Sequence, residues 1–204
     1  MKKPLKKYKP LVIGLTGGLA TGKTTVAGML ARYGAKVIDA DAIGHGLLEQ
    51  GTRVYGAIVR CFGPGVLTAD KAIDRRALSQ IVFSDKARLQ KLNSIIHPEI
   101  IRIVKKEIAK VRKGVVVLDA PLLVETGFYR NVDKVVVVTS SQARQIQRLQ
   151  ERLRLSRREI LKRIRSQMPL SDKVRVADFV IDNNGTRNDL RKTVTQIRRM
   201  WWTS

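Results

Sequence analysis

Gly17-Gly18-Leu19-Ala20-Thr21-Gly22-Lys23-Thr24 follows directly on the apolar run Leu11-Val12-Ile13-Gly14-Leu15. The stretch fits G-x-x-x-x-G-K-[ST], a phosphate-binding loop, which requires a strand before it and a helix after it. Both are present. The apolar run reads as a β-strand over about 11–15, and Val26, Met29 and Leu30 keep helical spacing over about 23–33 before Gly34 stops the helix. Glycines let successive N–H groups face a phosphate, and the helix N-terminus adds partial positive charge. The motif assigns nucleotide contacts to Gly18, Leu19, Ala20, Thr21, Gly22, Lys23, Thr24 and Thr25. Lys23 would reach the β- and γ-phosphates of a nucleoside triphosphate, and the Thr24 hydroxyl would hold Mg²⁺.

Further apolar runs extend the pattern outward from this loop. Lys36-Val37-Ile38-Asp39-Ala40-Asp41 reads as a short buried strand closed by two carboxylates, which would share a face in an extended segment. Val115-Val116-Val117-Leu118-Asp119 is a buried parallel strand whose final aspartate occupies the place of a Mg²⁺-holding carboxylate. Val135-Val136-Val137-Val138-Thr139 and Phe179-Val180-Ile181-Asp182 complete a set of strands separated by helical segments. That alternation predicts an α/β fold with a parallel sheet, and ligands of such sheets lie at the carboxyl ends of the strands.

Residues 42–113 contain no buried strand run and read as helical, broken at Gly51, Gly63-Pro64-Gly65 and Asp70. Leu89, Leu92 and Ile96 mark one helix ending at His97-Pro98, and Ile100, Ile101, Val104, Ile108 and Val111 mark the next. From 142 to about 168 the chain is helical and strongly cationic, with a second helix over about 157–167. Arg144, Arg148 and Arg152 share one face, opposite Ile146, Leu149 and Leu153. In a chain that carries a phosphate loop, this arginine stripe suggests a mobile lid. A last helix is expected over about 187–200, with Trp201 and Trp202 packing its end.

Composition narrows the class further. The 204 residues suffice for one sizeable core, and 44% hydrophobic content is that of an ordinary globular protein. Residues 1–10 read as a basic arm without the apolar region of a signal peptide, and no run is long enough to span a membrane. Cys61 is the only cysteine, which excludes an intrachain disulfide and a zinc cluster and makes a reducing, cytoplasmic setting the default. The net charge of +23 favours polyanionic ligands. Without a zinc finger or aromatic RNA-recognition motif it implies non-specific, salt-sensitive binding rather than specific nucleic-acid recognition.

Taken in order, these segments resemble the dephospho-CoA kinase family over nearly the whole chain. The matching pieces begin with Gly14-Leu15-Thr16-Gly17-Gly18 leading into Gly22-Lys23-Thr24, then Val37-Ile38-Asp39-Ala40-Asp41 and Asp74-Arg75-Arg76-Ala77-Leu78. His97-Pro98, Asp119-Ala120-Pro121-Leu122-Leu123 with Glu125, Gln147-Arg148 through Arg152, Arg163 to Gln167, and Val180-Ile181-Asp182-Asn183 follow. The phosphate loop alone is generic; the later pieces in this order are specific.

The resemblance implies a P-loop NTPase fold, a three-layer α/β/α core at about 11–41, 114–141 and 177–204. A CoA-binding helical subdomain would occupy about 42–113 and a lid about 142–176. It implies transfer of the ATP γ-phosphoryl group to the 3′-hydroxyl of dephospho-CoA, with Mg²⁺. A monomer or weak homo-oligomer is expected. Asp41, Lys23 and Arg148 would be catalytic, with Asp41 orienting and deprotonating the hydroxyl. Arg148 and Arg152 would close on ATP phosphates, and Asn183 would border adenine. Asp39, Asp41, Arg75, His97, Leu122 and Glu125 would bind the acceptor, and Thr24 and Asp119 the metal. Two residues have competing structural roles: His97 as a helix cap before Pro98, and Arg75 as a partner for Asp74.

This chain departs from the family pattern in three places. Ala20 stands where the family usually has a glycine, which requires a negative φ there. Leu153 replaces a common aspartate after Arg152, and Phe179 replaces a frequent second acidic residue after Asp178. The competing assignments are another small-molecule kinase of the same fold, acting on a nucleotide or a shikimate-like alcohol, and a nucleotide-dependent RNA-binding protein.

Overall fold

The computed structural model describes residues 9–153 and 155–202, so residues 1–8 of the basic arm lie outside the described residues. In chain order the elements are β1 (Leu11–Gly17), α1 (Lys23–Arg32), β2 (Lys36–Asp39), α2 (Ala40–Gly46), α3 (Arg53–Phe62), α4 (Arg75–Phe83) and α5 (Lys86–Ala109). They continue as β3 (Val115–Asp119), β4 (Lys134–Thr139), α6 (Gln142–Leu153), α7 (Arg157–Arg165), α8 (Leu170–Val174), β5 (Phe179–Asp182) and α9 (Arg187–Trp201). The chain forms two compact units, one running to Ile38 and resuming at Lys110, the other spanning Asp39–Ala109.

The first unit is built on a five-stranded sheet of order β2-β3-β1-β4-β5. β1 runs parallel to β3 and β4, and β4 parallel to β5. Register decides where the site falls. Leu15 lies opposite Asp119, Gly17 opposite Val138, and Thr139 opposite Asp182. The loop after Gly17, the Asp119 carboxylate and the segment after Asp182 therefore leave the sheet at one edge. It is the carboxyl edge, where open α/β sheets bind ligands.

Strand alternation sorts the core. Ile13, Leu15, Val115, Val117, Val136, Val138 and Ile181 meet α1 (Val26, Met29, Leu30) and α9 (Leu190, Val194, Ile197) on one face. On the other face Gly14 leaves room for Leu123, whose Cδ2 lies 2.5 Å from where a Cβ on that glycine would stand. The short helix α8 packs there against β1 and β4. Trp201 meets Phe179 edge-on at 6.2 Å between centroids, and Trp202 Nε1 donates to the Tyr33 carbonyl at 3.1 Å. Both tryptophans thus seal the end of α9, as the sequence suggests. Ile146 and Leu149 of α6 are buried with Ile160 of α7. Leu153, assigned to the same stripe, is instead 44% exposed, because α6 ends there and the stripe has no further surface to cover.

The second unit is helical. Val54 and Ile58 of α3 and Leu78 and Val82 of α4 are buried against a row from α5 that includes Leu89, Leu92, Ile96, Ile100 and Ile103. This row corrects the expectation of two helices meeting at His97-Pro98: α5 is one helix with Pro98 inside it. A proline there removes one backbone hydrogen bond and costs about 3 kcal/mol. The apolar row continues on both sides of Pro98, and burying several side chains at roughly 1.5–3 kcal/mol each outweighs that cost. His97 is accordingly a residue of the helix interior, not a helix cap.

Replacing the fully buried Ile197 tests α9 as part of the core. Ile197→Ala is expected to lower the unfolding free energy by roughly 2–5 kcal/mol and Ile197→Val by about 0.5–1.5 kcal/mol, read from urea denaturation. An alanine variant of parental stability would contradict this packing.

Candidate active site

The phosphate loop is held from behind by polar side chains. Gln145 Nε2 donates to the Leu19 carbonyl at 2.8 Å, and Gln167 Oε1 accepts from the Leu19 N–H at 2.9 Å. Arg148 donates to the Ala20 carbonyl at 3.1 Å and to the Asn183 carbonyl at 3.0 Å. The buried Asn183 amide donates to the Thr21 carbonyl at 2.8 Å, and the Thr21 hydroxyl donates to the Gly18 carbonyl at 3.0 Å. The carbonyls of residues 18 to 21 are thus all engaged. No acceptor among the described residues takes the N–H groups of Lys23, Thr24 or Thr25, which begin α1 and are available to an anion.

Two glycines are sterically required here. A Cβ on Gly17 would stand 2.5 Å from the Val138 carbonyl oxygen, and one on Gly22 would stand 2.1 Å from Asn183 Nδ2. Gly22 also has φ of +98°. Ala20 corrects an expectation: its φ is +57°, not negative. Left-handed geometry costs a non-glycine residue roughly 1–2 kcal/mol. Both neighbouring carbonyls are tied down, and Leu19 and Ala20 pack against the apolar cluster of α6 and α7, which offsets part of that cost.

Lys23 Nζ is ion-paired with Asp119 Oδ1. Asp119 is 6% exposed, so the pair sits largely out of water at the edge where β1 and β3 end. Thr24 and Thr25 are exposed in the first turn of α1. Arg144 and Arg152 are exposed on α6, whereas Arg148 is partly buried and braced on the loop. The stripe therefore divides into one anchored arginine and two solvent-facing ones.

After Asp119 the chain turns sharply. The Ala120 N–H donates to the Leu15 carbonyl at 3.0 Å, and the Pro121 carbonyl accepts from the Thr16 hydroxyl at 3.1 Å. Leu122 is 48% exposed. Glu125 faces Lys173 of α8, with Nζ 2.7 Å from Oε1. This is an ion pair by distance, although neither carboxylate oxygen has a hydrogen-bond partner among the described residues.

β2 stops at Asp39, the first residue of the second unit, whose carboxylate accepts from the Ala42 N–H at 2.9 Å and caps α2. Asp41 lies in the first turn of that helix. The extended segment that would have put both carboxylates on one face is thus replaced by a helix start, which an aspartate favours. Asp74 caps α4 through the N–H groups of Arg76 and Ala77, and no Arg75–Asp74 ion pair is found among the described residues. Arg75 is exposed at the first position of α4. Burial holds the His97 imidazole below its ordinary pKa, which favours the neutral ring.

The structure brings Lys23, Asp119, Arg148 and Asn183 together around the loop, and with them Gln145 and Gln167, which sequence reasoning did not single out; Lys173 is a further residue it missed. Their signal was weak: single polar residues within a cationic stretch. Asn183→Ala tests the bracing. It would leave a buried Thr21 carbonyl without its donor, and we expect stability to fall by about 1–3 kcal/mol and ATP affinity to fall with it. Parental values in both urea unfolding and fluorescent-nucleotide titration would contradict it.

The family model for dephospho-CoA kinase matches residues 11–189. The dephospho-CoA kinase of Carboxydothermus hydrogenoformans is 42% identical over 193 residues, 93% of this chain and 94% of that protein. Among solved structures, a Thermus thermophilus protein superposes with a TM-score of 0.85 at 33% identity, covering 96% of this chain and all of that one. Dephospho-CoA kinase from Campylobacter jejuni gives a TM-score of 0.68 at 29% identity, covering 92% and 95%. With a phosphate loop braced at the carboxyl edge of a parallel sheet and this likeness along its length, the chain belongs to the dephospho-CoA kinase family.

Proposed function

We propose that this protein transfers the γ-phosphoryl group of ATP to the ribose 3′-hydroxyl of dephospho-CoA, giving CoA and ADP, the last step of coenzyme A synthesis. The observation that carries the reading is the pairing of Lys23 with Asp119 beneath a loop whose carbonyls are all engaged, in a chain of this family. Phosphoryl transfer asks a protein mostly for positioning and charge neutralisation. The loop N–H groups and Lys23 serve the phosphates, and the exposed Arg152 and the braced Arg148 supply further positive charge.

Thr24 and Asp119 offer hard oxygen donors, which suit Mg²⁺, an ion that keeps several waters and takes only one or two protein ligands. The described residues contain no cluster of three or more His, Cys, Asp or Glu, so an all-protein cage is not what they offer. When bound, the ion would neutralise phosphate charge. Asp41 accepts the hydrogen bond of the 3′-hydroxyl in this reading, while Arg75 and His97 serve the acceptor. His97 does so as a neutral group. No described helix is long and apolar enough to cross a membrane, and a cytoplasmic setting goes with the reading.

ADP release with ATP and Mg²⁺, measured with and without dephospho-CoA, tests this directly. Stimulation by dephospho-CoA is expected in the parent and a loss of about a hundredfold or more in Asp41→Asn. Stimulation unchanged in the variant would remove Asp41 from the chemistry. No stimulation in a parent that binds ATP would overturn the acceptor assignment.

A further inference from the structure

Lys173 is fully buried in α8, and the roles assigned so far make no use of it. Its Nζ donates to the Pro121 carbonyl at 2.6 Å and lies 2.7 Å from Glu125 Oε1. The same Pro121 carbonyl accepts from Thr16 of β1. One ammonium therefore ties both ends of the turn Pro121–Glu125 and seats that turn on the strand that feeds the phosphate loop. At the other end of the same short helix, Leu170 Cδ2 stands 3.3 Å from where a Cβ on Gly18 would lie.

An apolar side chain could fill this space without the cost of dehydrating an ammonium, so what the lysine adds is direction. Its hydrogen bond fixes where the Pro121 carbonyl points and its charge holds the Glu125 carboxylate, and together they set how exposed Leu122 is presented between them. Gln145, Gln167, Arg148 and Asn183 hold the nucleotide loop, whereas both polar contacts of Lys173 go to the 121–125 turn.

We propose that Lys173 is a positioning residue for the acceptor, acting through the Pro121–Glu125 turn; this rests on the dephospho-CoA kinase reading above. The side chain touches no reacting atom. It sets the turn that carries Leu122 and Glu125, the two residues the family resemblance assigns to the acceptor, while the nucleotide loop keeps its own supports.

Steady-state kinetics of Lys173→Met separate this role from a merely structural one. The KM for dephospho-CoA is expected to rise by about tenfold or more, with the KM for ATP within about twofold of the parent. Lys173→Gln keeps one uncharged donor for the Pro121 carbonyl and leaves Glu125, itself a candidate for binding the acceptor, in place. Its acceptor KM is expected to rise as well, by less than that of Lys173→Met. If Lys173→Met does not fold, Lys173→Gln carries the test. A parental acceptor KM in the folded variants, or an equal rise in both KM values, would overturn the positioning role. A parent protein that shows no dephospho-CoA-dependent ADP release would instead overturn the kinase reading, and the positioning role with it.

Discussion

A loop that offers its N–H groups to phosphate must find other partners for its carbonyls. In this protein those partners are side chains brought from distant parts of the chain: Gln145 and Arg148 from α6 and Asn183 after β5, with Thr21 closing the loop on itself. Each buried carbonyl left unpaired would cost about 1–3 kcal/mol, so the loop geometry depends on α6 and the β5 edge being in place. The sheet register explains how these groups meet. Gly17, Val138 and Ile181 stand level across β1, β4 and β5, and the segments that follow leave the sheet side by side.

The bracing also accounts for Ala20. An alanine at φ of +57° is strained, yet its carbonyl is held by Arg148 and the residue packs against the α6–α7 cluster. A guanidinium that the sequence pattern assigned to a lid stripe is thus also a structural member of the nucleotide loop. Arg148, proposed to serve the ATP phosphates, is already tied to the loop and to the segment after β5, whereas Arg144 and Arg152 face solvent. Lys23 has a similar double position. Its pairing with Asp119 keeps two charged groups compensated at a poorly hydrated edge, and both are groups the chemistry would use.

Much of the core was legible because its signals are local. Continuous apolar runs closed by Asp119 and Asp182 marked buried parallel strands, and the glycine spacing marked the loop. The errors arose where tertiary packing overrides a local rule. Pro98 read as a helix stop, but the apolar row on either side carries α5 through it. Asp39 and Asp41 read as one extended face, but Asp39 caps a helix and Asp41 follows in its first turn. Leu153 read as core but lies where its helix ends. Lys173 and Gln145 gave only a weak signal, since a buried lysine or glutamine looks like any other polar residue until its partners are known. Family likeness supplied the acceptor, which no spacing in the chain specifies.

The most direct test of the central claim is the fate of a labelled γ-phosphoryl group. The protein would be incubated with γ-labelled ATP, Mg²⁺ and dephospho-CoA, and the product treated with a 3′-specific phosphatase. The account predicts label in CoA, released by that enzyme with the diphosphate bridge left intact. Label found only in inorganic phosphate before the phosphatase is added, or at any other position of the acceptor, would contradict it.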